Sequence, residues 1–305
     1  MRVAILDLGT NTFHLLIVDV VGKQFQILHK SKIAVKLGEG AIHHNWIAAK
    51  PFRRGLNALK GFAATIKEYK VKKVIAYATS AIRGAQNGNN FIQAAKKETG
   101  LRITVINGLR EAELICYGVR QCISLERPFL IIDIGGGSTE FIIADSKKIF
   151  WKKSFDIGAA RLLELFKPSD PINKNEVKEI ENFLEKKLLP LKVALLKFPV
   201  DILVGSSGSF DTFAEMIGYR FKNKKIIQNV NSYKFDLNEY NELARLIIQS
   251  TNDLRLKMRG LIKMRVDMIV ISTICTNYIL HSFPIKEMYL SKYALKEGAL
   301  WDSIN

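Results

Sequence analysis

Two segments of the chain repeat one another. Residues 4–19 and 130–145 align without a gap, so that Asp7 falls on Asp133, Gly9 on Gly135, Thr12 on Ser138, Ile17 on Ile143 and Asp19 on Asp145. Each reads as strand, tight polar turn, strand, because the flanking runs are short and rich in Val, Ile and Leu. The glycines allow a turn that brings backbone close to a ligand. Two copies of one supersecondary unit, a domain length apart, predict two related halves. With 305 residues the chain exceeds what one core usually organises, and two domains are expected, 1–125 and 126–305, with the last helix free to pack back on the first.

The remainder alternates helical and strand patterns. Apolar spacing predicts helices at 51–69, 90–99, 109–122, 159–166, 174–195 with a break near Pro190, 237–250, 265–281 and 292–304. Short buried strands are expected at 73–78, 102–106, 202–204 and 288–290. Alternation of this kind means an α/β architecture. The hairpin that opens each half makes the sheets mixed rather than purely parallel, unlike a Rossmann domain.

Composition removes several classes. The apolar stretch 268–280 is interrupted by Ser272, Thr273, Thr276 and Asn277 and is too short for a span of about 20 residues. Asp7, Asn11 and His14 interrupt the N-terminal apolar run, which does not read as a secretory signal. A cytoplasmic location away from membranes is therefore expected. Cys116, Cys122 and Cys275 form no Cys-x-x-Cys pair and read as reduced thiols, not as a zinc site or a disulfide framework. The 46 Lys and Arg against 29 Asp and Glu leave a net charge of +17, which favours a polyanionic partner without naming it. No nucleic-acid-binding motif is present, so nucleic acid is not the expected partner.

The paired turns carry the chemistry. Backbone amides in such turns point into a concavity and bind anions. Thr10, Asn11 and Thr12 in the first turn, and Gly136, Gly137 and Ser138 in the second, are candidate phosphate binders. Asp7 and Asp133 are candidate Mg²⁺ ligands, directly or through water. A third turn, 204–209, runs from a strand into a helix expected from about Asp211; it is either another anion or nucleoside site or a helix start that Asp211 simply caps.

Asp-Leu-Gly-Thr-Asn-Thr-Phe-His at 7–14 resembles the first phosphate motif of the exopolyphosphatase/guanosine pentaphosphate phosphatase family, and Asp-Ile-Gly-Gly-Gly-Ser-Thr-Glu at 133–140 resembles its second. Both motifs also occur in the wider actin, sugar kinase and Hsp70-like superfamily. Ala-Thr-Ser-Ala-Ile-Arg at 78–83 and Gly-Leu-Arg-Glu-Ala-Glu-Leu at 108–114 narrow the resemblance to this family, and Arg-Val-Asp-Met-Ile at 265–269 and Leu-Lys-Glu-Gly at 295–298 agree with it. The resemblance spans nearly the whole chain. It implies two actin-like, ribonuclease H-like α/β domains with mixed sheets flanking a central cleft.

It also implies roles. Glu111 would activate water for attack on a terminal phosphorus, and Arg83 would clamp phosphate oxygens. Asp7, Asp133 and Glu140 would hold Mg²⁺ or another divalent cation. Thr10, Asn11, Thr12, Gly136, Gly137, Ser138, Gly208 and Ser209 would bind phosphate. Glu113, on a different face of the same helix, is the rival base. The implied substrate is inorganic polyphosphate or guanosine pentaphosphate, and a homodimer is admitted. Departures are Arg110, where members often have Glu, and Gly208-Ser209 in place of Gly-Thr. Arg110 is expected to add positive charge beside the base. His14 either packs beneath its turn or faces the ligand. Long members carry a further helical region beyond the point where this chain ends, so short polymers are expected to suit it better. Two other readings are an ATP-dependent phosphotransferase of the same superfamily and a non-catalytic binder of polyphosphate or alarmone.

Overall fold

The computed structural model describes residues 1–22, 24–222, 227 and 230–304; the remaining parts of the expected second domain, 223–226, 228–229 and 305, lie outside the described residues. The repeated segments become hairpins at the heart of two sheets. In the first sheet β1 (Arg2–Leu8), β2 (Thr12–Val21) and β3 (Gln24–Ala34) are antiparallel neighbours, while β4 (Lys73–Ala78) and β5 (Thr104–Val105) continue it in parallel on the other side of β1, in the order β3-β2-β1-β4-β5. In the second, β6 (Phe129–Ile134), β7 (Thr139–Ala144) and β8 (Ile149–Phe155) repeat the antiparallel trio. There β9 (Ile202–Ser206) and β11 (Glu287–Ser291) supply the parallel strands, and β10 (Ser232–Phe235) is an added antiparallel edge. The order β10-β11-β9-β6-β7-β8 is the first sheet's order with that strand appended. The expected pair of α/β halves with mixed sheets is the fold observed.

The helices are α1 (Ala49–Glu68), α2 (Ser80–Gly84), α3 (Gly88–Thr99), α4 (Gly108–Arg120), α5 (Ala159–Phe166), α6 (Lys174–Lys187), α7 (Leu189–Lys197), α8 (Ser207–Arg220), α9 (Leu237–Gln249), α10 (Asn252–Lys257), α11 (Ile269–Ser282) and α12 (Leu295–Ile304). Alternate residues of the central strands face opposite cores, as a two-residue repeat requires. Ala4, Leu6 and Leu8 pack with α1 and α3, while Leu130, Ile132 and Ile134 pack with the helices of the second lobe. Val3 and Ile5 from one sheet and Phe129 and Ile131 from the other turn inward to a shared layer built on Ile115 and Val119 of α4 and Leu295, Ala299 and Leu300 of α12. Both faces of each hairpin are thus covered, which is why their sequences read as continuous apolar runs.

At the crossing of α4 and α12 the backbones touch. A Cβ on Gly298 would strike the Leu114 carbonyl, and one on Gly118 would strike that of Ala294. The last helix packs between the lobes, and its N-terminal end reaches the space they enclose.

Several boundaries differ from the sequence expectation. The break expected near Pro190 in the helix at 174–195 falls at Leu188, where α6 gives way to α7. The predicted helix at 265–281 begins only at Ile269, after a short 3₁₀ turn over Lys263–Arg265. Strands β3, β8 and β10 escape periodicity: β3 is an edge strand with much of its length exposed, so burial imposes no apolar alternation on it. Helix α8 starts at Ser207, so Asp211 lies inside the helix and does not cap it.

Candidate active site

The two turns have one geometry. Gly9 N–H donates to the Thr12 carbonyl at 3.2 Å and Gly135 N–H to the Ser138 carbonyl at 3.0 Å. Strand register then sets Asp7 opposite His14 and Asp133 opposite Glu140, so His14 holds in the first hairpin the place of Glu140 in the second. The turn carbonyls are occupied. Those of Gly135 and Gly136 accept from Ala159, Ala160 and Arg161 at the start of α5, and those of Thr10 and Asn11 accept from residues 35–37. The amides of Thr10, Asn11, Gly136 and Gly137 find no backbone acceptor among the described residues. Carbonyls tied back with amides left over is the polarity of an anion-binding nest.

The turns meet tip to tip. A Cβ on Gly136 would strike the Asn11 amide group, and one on Gly137 would lie 2.7 Å from Thr10 Oγ1. The turns therefore touch across the cleft that the resemblance implies. The lobes are closed here, because glycine removes the side chains that would hold the turns apart.

Four carboxylates surround this junction. Glu111 sits in the first turn of α4, whose N-cap Asn107 accepts from Arg110 N–H. It is only 7% exposed, and Arg83 Nη1 donates to its Oε2 at 2.7 Å. Burial raises the Glu111 pKa well above the ordinary range, and the Arg83 guanidinium opposes that. Glu140 is held well above that range too, first by burial and then by Glu111 and Asp133; Ser154 Oγ donates to it at 2.6 Å. Asp133 accepts from Ser206 and Ser207 hydroxyls, each at 2.6 Å, which limits the rise that its burial causes. Asp7 keeps partial access to the cleft but is otherwise walled by protein, and its pKa is pushed up to about 7, with Lys296 acting against the burial. His14 is held neutral, well below its ordinary pKa, by burial and by Lys296, Lys32, Lys30 and Arg265.

These groups open on one cavity of about 470 Å³. Asp7, Thr10, Asn11, Thr12, Glu111, Asp133, Gly136, Gly137, Ser138, Glu140, Gly208 and Ser209 all line it. Arg83 is not among the lining residues: its Nη1 holds Glu111 and the Ile106 carbonyl. The expected phosphate clamp is, in this closed state, a brace behind the carboxylate, because short α2 delivers the guanidinium from that side. Glu113 is turned out of the cavity, paired with Arg110 and Lys152. Arg110 spends its charge on Glu113 and Asp302 and not beside Glu111, which corrects the expectation drawn from the sequence.

Five cations line the same cavity: Lys30 and Lys32 of edge strand β3, Arg265, Lys292 and Lys296, with Asp211 and Glu215 of α8 among them. Arg265 lies against Gly208, where any side chain would collide with its guanidinium, and donates to Thr212. None of these cations belongs to the phosphate motifs, and sequence spacing pointed to none of them as part of the site. Ser206 and Ser207 were visible only as members of a small-residue turn. Ser207 adopts φ +68°, a strained value for a residue with a Cβ, held where its hydroxyl meets Asp133. Among the described residues, no three His, Cys, Asp or Glu side chains converge closely enough to hold a metal ion by themselves.

Comparison with known proteins closes the question of kinship. The model of the Ppx/GppA phosphatase family matches residues 16–305. The chain belongs to the Ppx/GppA phosphatase family. A crystal structure described as an exopolyphosphatase from Cytophaga hutchinsonii superposes with a TM-score of 0.97 at 38% identity, covering 100% of this chain and 98% of that one. A Ppx/GppA family member from Aquifex aeolicus gives a TM-score of 0.83 at 27% identity over 100% of this chain and 97% of that one. A Haemophilus influenzae protein, provisionally named an exopolyphosphatase, is 28% identical over 300 residues, 98% of this chain and 90% of that protein. The Ppx/GppA match begins inside β2, and the Cytophaga and Aquifex structures, which cover 100% of this chain, include the Asp7 turn that precedes it. No helix among the described residues is long and apolar enough to cross a membrane.

Proposed function

We propose that this Ppx/GppA protein hydrolyses a terminal phosphoanhydride, releasing orthophosphate from inorganic polyphosphate or the 5′-γ-phosphate from guanosine pentaphosphate. The observation that carries the reading is one cavity shared by a buried glutamate, two glycine turns whose amides have no backbone acceptor, and five cations. Glu111 accepts the proton of a water as its oxygen attacks the terminal phosphorus, and the bond to the bridging oxygen breaks. The raised pKa of Glu111 suits a base working near neutrality. Arg83 fixes the orientation of that carboxylate. The Gly136 and Gly137 amides face the charge that develops on the phosphoryl oxygens, and positioning of this kind carries most of phosphoryl transfer.

The donor set fits a hard divalent cation: burial raises the pKa values of Asp7, Asp133 and Glu140, and Lys296 offsets this only in part at Asp7 and Asp133. Asp7 and Asp133, with Glu140 behind them, would hold Mg²⁺ in the usual way, by one or two carboxylates, water and substrate oxygens, which needs no preformed cage. When bound, Mg²⁺ would neutralise oxygens of the transferred group.

Polyphosphate is the favoured substrate. The described cavity lining contains five cations and no Phe, Tyr or Trp ring on which a guanine could stack, and the Cytophaga relative is described as an exopolyphosphatase. The test is phosphate release from short polyphosphate, long polyphosphate and guanosine pentaphosphate with Mg²⁺, comparing wild type and Glu111→Gln. Release by the wild type and its loss in the variant supports the reading. Transfer of phosphate from ATP to an acceptor, or binding without turnover, would move the assignment to a phosphotransferase or a binder.

A further inference from the structure

We propose that Lys296 is a positioning residue that sets the charge balance of the cleft, weakening divalent-cation binding at the Asp7–Asp133 pair while strengthening the hold on anionic substrate. The inference rests on the hydrolase reading above.

Lys296 is only 9% exposed and lines the cavity from the first turn of α12. A buried ammonium is costly unless paired. Its ion pair is with Glu297 Oε1 at 3.1 Å, and that oxygen also faces Lys30 at 3.8 Å. The other oxygen of Glu297 accepts from Ala294 N–H and so fixes the start of the helix. One carboxylate oxygen thus serves two lysines, and Lys296 keeps charge to spare. Its field acts on Asp7 and Asp133, on His14, and on Lys30 and Lys32; Asp211 acts back on it. Attraction to Glu297 and Asp7 outweighs its desolvation, so it remains an ammonium.

The fold holds that charge in place. The Gly118–Gly298 crossing lets α12 press against α4 until its first turn enters the space between the hairpins. A fixed positive charge beside two carboxylates repels an incoming cation and attracts a phosphate chain, so its removal must move the two affinities in opposite directions. Simple damage to the site would weaken both.

The experiment uses the full chain, with Lys296→Met, which keeps length and loses charge, and Lys296→Arg, which keeps charge. Mn²⁺ binding to metal-free protein is followed by electron paramagnetic resonance without substrate, and KM for short polyphosphate is measured separately. The expected result is Mn²⁺ binding about tenfold tighter and KM about tenfold higher in Lys296→Met, with Lys296→Arg within about twofold of wild type on both. Unchanged or weaker Mn²⁺ binding in Lys296→Met, in a background where wild type binds Mn²⁺ and turns over, overturns the inference alone. A wild type that neither binds Mn²⁺ nor releases phosphate overturns the hydrolase reading and the inference with it. Should Lys296→Met fail to fold, Lys296→Gln is the second neutral variant, and Mn²⁺ must again bind more tightly than in wild type.

Discussion

Asp7 should destabilise the metal-free protein at the pH where the enzyme works. Its carboxyl titrates at about 7 in the folded chain, against about 3.9 when unfolded. Between those values the native state holds a proton that the unfolded chain has lost. Stability linked to Asp7 is therefore complete below about pH 4 and falls as pH rises towards 7. A difference of about three pH units at 1.36 kcal/mol each is about 4 kcal/mol. Asp7 retains access to cleft water, and its replacement also removes one acid facing Lys296, so a net 2–4 kcal/mol, roughly, is the expectation. The perturbation is Asp7→Asn, which keeps shape and removes charge. Denaturant midpoints for both proteins would be measured from pH 4 to 8 in chelator. The variant should match wild type at pH 4 and exceed it at pH 8, while losing phosphate release throughout. Added Mg²⁺ should stabilise wild type at pH 8 and leave the variant nearly unmoved. A variant that follows the wild-type pH slope, or is weaker at pH 8, would refute the view that Asp7 is a buried charge awaiting a cation.

Glu111→Gln should lower turnover by about 10²–10⁴ with little change in substrate affinity, read by steady-state kinetics and a binding titration. Gly298→Ala should lower stability by about 3 kcal/mol or more, because the new Cβ meets the Leu114 carbonyl, which cannot yield. By contrast Gly61→Ala, in open space on α1, should raise stability by about 1 kcal/mol; thermal melts of the two variants decide both. KM for polyphosphate should climb with added KCl, since the cations lining the cavity act partly through solvent, and a salt-independent KM would argue against their role.

The parts of the fold legible in the sequence are those that burial constrains most. Both hairpins could be read because each is covered on two faces and must be apolar along its length. Helices α1, α3 and α5 could be read because one face of each meets a core. Strand β3 could not, since a half-solvated edge carries Lys, Gln and Ser as readily as Ile. For the same reason Lys30 and Lys32 gave no local sign of facing the cavity. The start of α8 was misplaced because the Ser206–Ser207 turn uses a strained φ at a serine, which no local preference predicts. Arg83 and Glu111 were both identified, yet their mutual pairing depends on α2 and α4 arriving from opposite sides of β4 and β5, a matter of packing.

The sequence by itself determined the duplication and the two Asp-x-Gly turns, because each is a local covalent pattern tied to a backbone requirement, whereas Glu111, between the turns, was reached only through the family resemblance. Tertiary structure alone decided which charges share the cavity. Glu111, Asp133 and Lys296 lie far apart along the chain and meet only because α4 and α12 cross at paired glycines between two sheets. Electrostatic coupling falls with distance through space and takes no account of separation along the chain, so the pKa of Asp7 and the placement of Lys296 became visible only once the lobes were assembled.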